Sequence, residues 1–255
     1  MRRGRSITIL ITITVIFSLC MVIPANGLER PADVWYGLEE QGGPFHAGLY
    51  VIGDSISNGV PYVATGSAAG AHVWVRWQAG WSTYPHRRTR WGASNLDSFT
   101  DAARSPASTV FVQLGTNDTG CMRAGNALCG GDYPRDEAAR QNEKLRIVLE
   151  TAAGARTLLD AGKCVIWAGT REIDRVGSAQ VDAADMNAWL RDLQNQFPGR
   201  FYYADYHAYS FGNADLRYSL DEAPGSDRVH PVTAAGRQAI ANLAVFLARA
   251  QCRMP

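Results

Sequence analysis

The chain is predicted to be an α/β protein, a three-layer α/β/α sandwich built around a five-stranded parallel sheet. Three observations predict it. Short runs of apolar and β-branched residues recur along the chain at 49–52, 72–77, 109–114, 164–168 and 201–204. Their near-continuous apolar character is what strands buried on both faces of a parallel sheet require. Between the later runs lie longer segments whose apolar residues recur near the helical repeat, and several runs end in glycine followed by polar residues, which marks a strand stopping in a tight turn.

Before the first run stands a segment that the fold does not need. Arg2, Arg3 and Arg5 form a basic start, 7–23 carries no charge, and Pro24-Ala25-Asn26-Gly27 offers small residues at the two positions a signal peptidase reads. Residues 1–27 are therefore expected to be a secretory signal peptide and 28–255 a single domain. A retained anchor is the rival reading, but the run is short for a span and is diluted by Thr8, Thr12, Thr14 and Ser18. The mature product is expected to be secreted or associated with the cell envelope, with no stable membrane insertion.

The domain opens on a Pro/Gly-rich lead-in, 31–48, and reaches its first strand at Leu49-Tyr50-Val51-Ile52. The strongest helix candidate is 136–159, where Ala139, Leu145, Val148, Leu149, Ala152 and Leu159 are expected to face inward and Gly162 follows as a stop. A second spans 182–197, with Met186, Trp189, Leu190 and Leu193 on one face ahead of Pro198-Gly199. The last spans 233–250, with Thr233 as N-cap and Ile240, Leu243, Ala244 and Leu247 inward.

Composition excludes some functions. Of 25 basic residues, three leave with the leader, so 22 face 24 acidic residues and the mature charge is −2. That balance gives no electrostatic footprint for nucleic acid. Five cysteines become four without Cys20, and an even count in an exported chain suggests disulfides. Of the three possible pairings, Cys121 with Cys129 and Cys164 with Cys252 are favoured, reduced thiols being the alternative. No Cys-x-x-Cys, H-E-x-x-H or Gly-rich phosphate loop occurs, so neither metal nor other cofactor is expected. The sequence sets no oligomeric state.

The chemistry lies in the segments just past the strands. The first strand gives Gly53-Asp54-Ser55, the second leads to Gly80-Trp81-Ser82, and the third gives Gly115-Thr116-Asn117-Asp118. The final helix is preceded by Asp227-Arg228-Val229-His230. All parallel strands end on one edge, so these segments converge there. Together they hold a hydroxyl, a glycine N–H, an amide side chain and a carboxylate three residues from an imidazole, which are the parts acyl transfer needs.

These four blocks, Gly-Asp-Ser, a glycine, Gly-x-Asn-Asp and Asp-x-x-His, resemble the SGNH hydrolases, also called the GDSL family, over nearly all of 28–255. The resemblance implies the flavodoxin-like fold of that family. It implies Ser55 as nucleophile, His230 as base and Asp227 as the acid that orients it. It also implies an oxyanion hole from the backbone N–H of Ser55, the backbone N–H of Gly80 and the Asn117 amide, with Gly92 as the alternative glycine. Chemistry agrees: a serine hydroxyl needs a base to take its proton, and an imidazole titrates near neutrality. Asp54 and Asp118 are expected to support the site from behind, and Asp205 to cap a strand end. His46, His72, His86 and His207 have no acid at comparable spacing and read as structural. No G-x-S-x-G elbow surrounds Ser55, which disfavours the α/β-hydrolase fold.

The expected function is an exported serine esterase acting on short-chain acyl esters, either O-acylated carbohydrate or small esters. One alternative is an O-acyltransferase moving acyl groups to or from cell-wall sugars; another is a non-catalytic glycan-binding module on the same scaffold. Trp74, Trp77, Trp81 and Trp91 gather around the second block, where they either stack on a sugar or pack the core. The basic run 86–90 reads as a solvated loop, with contact to an anionic substrate group as the alternative, and the loop 119–134 as a wall of the acyl pocket.

Overall fold

The computed structural model describes residues 36–41, 48–79, 81, 83, 96–121, 137–173 and 179–254. Its centre is a sheet whose strands are β1 (Tyr36–Gln41), β2 (Gly48–Gly53), β3 (His72–Gln78), β4 (Thr109–Gln113), β5 (Cys164–Ala168) and β6 (Phe201–Ala204), in spatial order β1-β3-β2-β4-β5-β6. The five predicted strands are present and mutually parallel, within a residue or two of their expected ends. A sixth, β1, pairs antiparallel with β3 at the sheet's edge. It lies in the lead-in that the sequence leaves unassigned. Tyr-Gly-Leu-Glu-Glu-Gln has neither a continuous apolar run nor strict alternation, and an edge strand, paired on one side, needs neither.

Alternation along each strand sorts side chains between two cores. Leu49, Val51, Phe111, Ile166 and Ala168 join one cluster, while Tyr50, Ile52, Val110, Val112, Val165 and Trp167 join the other. Helices α1 (Tyr62–Ala68) and α8 (Ala234–Cys252), with α6 (Tyr206–Gly212) and α7 (Ala214–Arg217), cover the first face. Helices α2 (Leu96–Arg104), α4 (Glu137–Asp160) and α5 (Ala179–Gln196) cover the second. The short α3 (Thr116–Cys121) follows β4. Residues 31–255 group into one compact unit.

The three long helices lie where their periodicity places them, and Thr233 caps α8 by accepting from the Gly236 N–H at 3.0 Å. The inward face of α4 differs from expectation. Leu145 and Leu149 are 57% and 60% exposed, and the buried stripe is Lys144, Ile147, Thr151, Ala155 and Leu158. Leu159 is buried and Ala152 packs against the core as expected, but two polar residues share the stripe and the apolar period misplaces Leu145 and Leu149. Lys144 is tolerated there because Asp182 and Asp185 of α5 take its ammonium at 3.1 and 2.7 Å.

Cys164 and Cys252 form a disulfide between the start of β5 and the end of α8, as expected. Cys129 lies outside the described residues, and the Cys121–Cys129 pairing with it. Among the described residues no helix is long and apolar enough to cross a membrane.

Candidate active site

Between β2 and β4 the chain order reverses direction across the sheet, since β2 leads to β3 on one side and β4 starts the run to the other. The carboxyl ends of strands at such a point open a crevice. Ser55 and Asn117 follow those two ends.

β2 stops at Gly53 because the chain must fold back on itself at once. A Cβ at Gly53 would lie 1.9 Å from the Ser57 hydroxyl, so only glycine fits. Asp54, fully buried, then caps the 3₁₀ turn Ser55–Ser57 by accepting from the Ile56 N–H at 2.9 Å. The turn presents the half-buried Ser55, whose Oγ lies 2.8 Å from His230 Nε2 across 175 positions of sequence. His230 Nδ1 lies 2.5 Å from Asp227 Oδ2. An ionised carboxylate only accepts, so the ring proton sits on Nδ1 and leaves Nε2 as the acceptor for the Ser55 O–H.

The other oxygen of Asp227 accepts from the backbone N–H groups of Val229 and His230, at 2.9 and 2.7 Å. Burial is the largest single influence on this carboxyl and pushes it up. The backbone N–H of His230, the His230 ring and the Val229 N–H together outweigh burial and hold it below its ordinary value.

On the β4 side, Gly115 takes φ +122° and turns the chain into α3, whose first turn carries Asn117 and Asp118. Asn117 Nδ2 donates to the Trp81 carbonyl at 2.8 Å and makes a longer contact of 3.3 Å to Asp54 Oδ2. Asp118, buried, accepts from the Thr83 N–H and hydroxyl at 2.8 and 2.9 Å. The segment after β3 is thus pinned to the segment after β4 by these hydrogen bonds. Below them, Gln113 Oε1 accepts from the Tyr62 and Ser57 hydroxyls at 2.6 and 3.2 Å. Complete burial drives the Tyr62 phenol far up, so it stays a donor.

The structure therefore brings Ser55, His230, Asp227, Asn117, Asp54 and Asp118 to one sheet edge. Gly80, Ser82, Gly92, Trp91, the run 86–90 and most of the loop 119–134 lie outside the described residues. Trp77 and Trp81 are buried in the two cores, and the partly buried Trp74 packs against the second core with its ring tilted over His72, centroids 4.0 Å apart, so packing accounts for these three. His207 Nδ1 accepts from the Glu172 N–H at 3.0 Å, a structural role. Asp205 caps α6, taking the Ala208 N–H at 2.9 Å. Among the described residues no cluster of His, Cys, Asp and Glu is arranged to hold a metal ion. Sequence reasoning missed Arg171, whose guanidinium reaches the carbonyl of Arg228 between Asp227 and His230 at 2.9 Å. The one signal was an arginine three residues past a wholly apolar strand.

No protein-family model and no curated protein matches the chain by sequence. Solved structures do match. The catalytic domain of peptidoglycan O-acetyltransferase A from Streptococcus pneumoniae, carrying a methylsulfonyl adduct, is 16% identical at a TM-score of 0.51, over 84% of this chain and 98% of that one. A GDSL-like lipase from Bacteroides thetaiotaomicron is 15% identical at 0.50, over 80% and 89%. A carbohydrate esterase family 2 enzyme with a carbohydrate-binding domain, from Corynascus thermopiles (Myceliophthora fergusii), is 16% identical at 0.53, over 84% and 68%. The fold is that of the SGNH, or GDSL, hydrolases.

Proposed function

We propose that the protein is an exported serine esterase that hydrolyses short-chain acyl esters, on O-acylated carbohydrate or small alcohols, through an acyl-Ser55 intermediate. The observation that carries this reading is the continuous hydrogen-bonded line from Ser55 Oγ through the His230 ring to Asp227, at 2.8 and 2.5 Å. Ser55 Oγ attacks the acyl carbonyl carbon as its proton passes to His230 Nε2. Asp227 stabilises the resulting imidazolium and keeps it oriented. Negative charge gathers on the carbonyl oxygen, where the Ser55 N–H, the Gly80 N–H and the Asn117 amide are the proposed donors. The 3.3 Å contact of Asn117 to Asp54 is the weaker of its two and the one an oxyanion displaces. Collapse expels the alcohol, which takes the proton from His230. Water, activated by the same imidazole, then releases the acid and restores Ser55.

Export is inferred from the basic start and uncharged run of 1–27, and domain 28–255 would be the mature enzyme. The mass of the protein recovered from culture medium or envelope tests this: a mature product retaining the leader overturns cleavage. Likeness to a peptidoglycan O-acetyltransferase domain keeps a second reading in view, in which a sugar hydroxyl replaces water as the acceptor. A panel of nitrophenyl esters of increasing chain length, run with and without sugar acceptors, separates the two. Acceptor-independent turnover that falls with chain length supports the esterase; turnover stimulated by acceptor supports the transferase. Failure of Ser55 to become acylated, read by mass spectrometry of the trapped enzyme, overturns both and leaves the non-catalytic module.

A further inference from the structure

Arg171 lies just past β5 with a side chain only 4% exposed, and all three guanidinium nitrogens are engaged. Nε donates to the Ser210 hydroxyl at 2.9 Å, and Nη2 to Asp221 Oδ2 at 2.8 Å. Nη1 donates both to Asp221 Oδ1 at 3.1 Å and to the Arg228 carbonyl at 2.9 Å. The Phe211 ring lies over the guanidinium, 4.6 Å from its carbon. A buried cation so fully satisfied is a fixed point rather than a mobile charge. The Arg171 hydrogen bond in turn holds the Asp221 carboxyl below its ordinary value despite burial.

Arg228 is where this fixed point meets the catalytic line. It sits between Asp227 and His230 and holds φ at +65°, a conformation residues with a Cβ rarely adopt. That turn returns the chain so that the Asp227 carboxylate meets both the backbone and the ring of His230. Val229 anchors the arm in the first core, but the side chains of Asp227 and His230 on either side of it are 51% and 42% exposed, so packing does not fix their direction. Asp221 also approaches the Arg228 side chain, at 3.6 Å. Resting on the esterase reading above, we propose that Arg171, braced by Asp221, is a positioning residue for His230: its hydrogen bond to the Arg228 carbonyl holds the turn that aims the imidazole at Ser55.

The test compares Arg171→Gln, Arg171→Lys and Asp221→Asn with Lys144→Gln, which breaks a different buried ion pair, between α4 and α5. Folding is checked by circular dichroism and thermal melting, then kcat and KM are measured with a short nitrophenyl ester and the rate of fluorophosphonate labelling is read alongside. A misaimed base costs rate without costing binding, so Arg171→Gln is expected to lower kcat and the labelling rate by ~10- to 100-fold with KM within about twofold. Arg171→Lys keeps the charge without the fork and is expected to lose less. Lys144→Gln is expected to lower the melting temperature and leave kcat within about twofold. Should Arg171→Gln not fold, Arg171→Lys and Asp221→Asn decide the matter. Wild-type kcat in both, or an equal fall in kcat for Lys144→Gln, overturns the proposal while wild-type labelling at Ser55 leaves the esterase reading standing. Absence of labelling in the wild type overturns the esterase reading itself.

Discussion

Asp54 and Asn117 belong to a frame made of strand ends, whereas Asp227 and His230 stand on a loop, half exposed on either side of the buried Val229. The frame is tied by short-range geometry: Asp54 caps its own turn, and Asp118 and Asn117 grip the neighbouring segment. The arm is anchored by Val229 and gains the rest of its order from a carboxylate that binds its own backbone and from a buried guanidinium reaching up from β5. The contrast teaches that the two halves fail differently. Loosening the frame disturbs loops near the proposed oxyanion position, and loosening the arm disturbs the direction of one imidazole.

The largest effect should come from cutting the junction between the halves. Ser55→Ala and His230→Ala are each expected to lower kcat by at least ~10³-fold with folding retained, measured on a short-chain ester. Turnover surviving in either would mean that the halves do not act together. Next is Asn117→Ala, on the frame side, with an expected loss of ~10²- to 10³-fold in kcat and little change in KM. An effect confined to KM would assign the amide to ground-state binding instead. Asp118→Asn is expected to be milder, about tenfold in kcat/KM, since it loosens the 81–83 segment without touching the reacting atoms.

The smallest effect is one of pH on stability, and it belongs to the arm. Asp227 and Asp221 both have folded-state carboxyls held below the ordinary value. Their stabilising contribution is therefore complete above the unfolded carboxylate pKa, ~3.9, and is lost as pH falls through the lower folded values. Melting temperature should stay level from neutral pH toward pH 5 and drop below about pH 4, with a shallower drop in Asp221→Asn. Equal acid slopes in the two proteins would remove Asp221 from the account.

How much of the molecule is legible in the sequence depends on how far each interaction reaches. The strands announce themselves because both faces are buried, which leaves runs such as Cys164-Val165-Ile166-Trp167-Ala168 without a polar break. Ser55, Asn117 and the Asp227–His230 pair stand out because strand ends and a spacing of three place them locally. Part of the face of α4, Leu145 and Leu149, is misread because Lys144 and Thr151 sit on the buried side, where partners on α5 and burial override the apolar period. Arg171 escapes notice because its partners, Ser210, Asp221 and Arg228, lie 39 to 57 positions away and only the fold brings them to it. Trp77 and Trp81 are equally compatible with a sugar platform and a core, and packing settles on the core.

The Cys164–Cys252 bond closes a covalent ring spanning 88 positions, and the whole arm, together with Arg171, lies inside it. A protease that nicks the exposed turn near Gly225 would therefore open the ring without releasing a piece. Both ends of the cut would stay tethered through sulfur, so a single clip would leave the imidazole still attached to the strand that aims it.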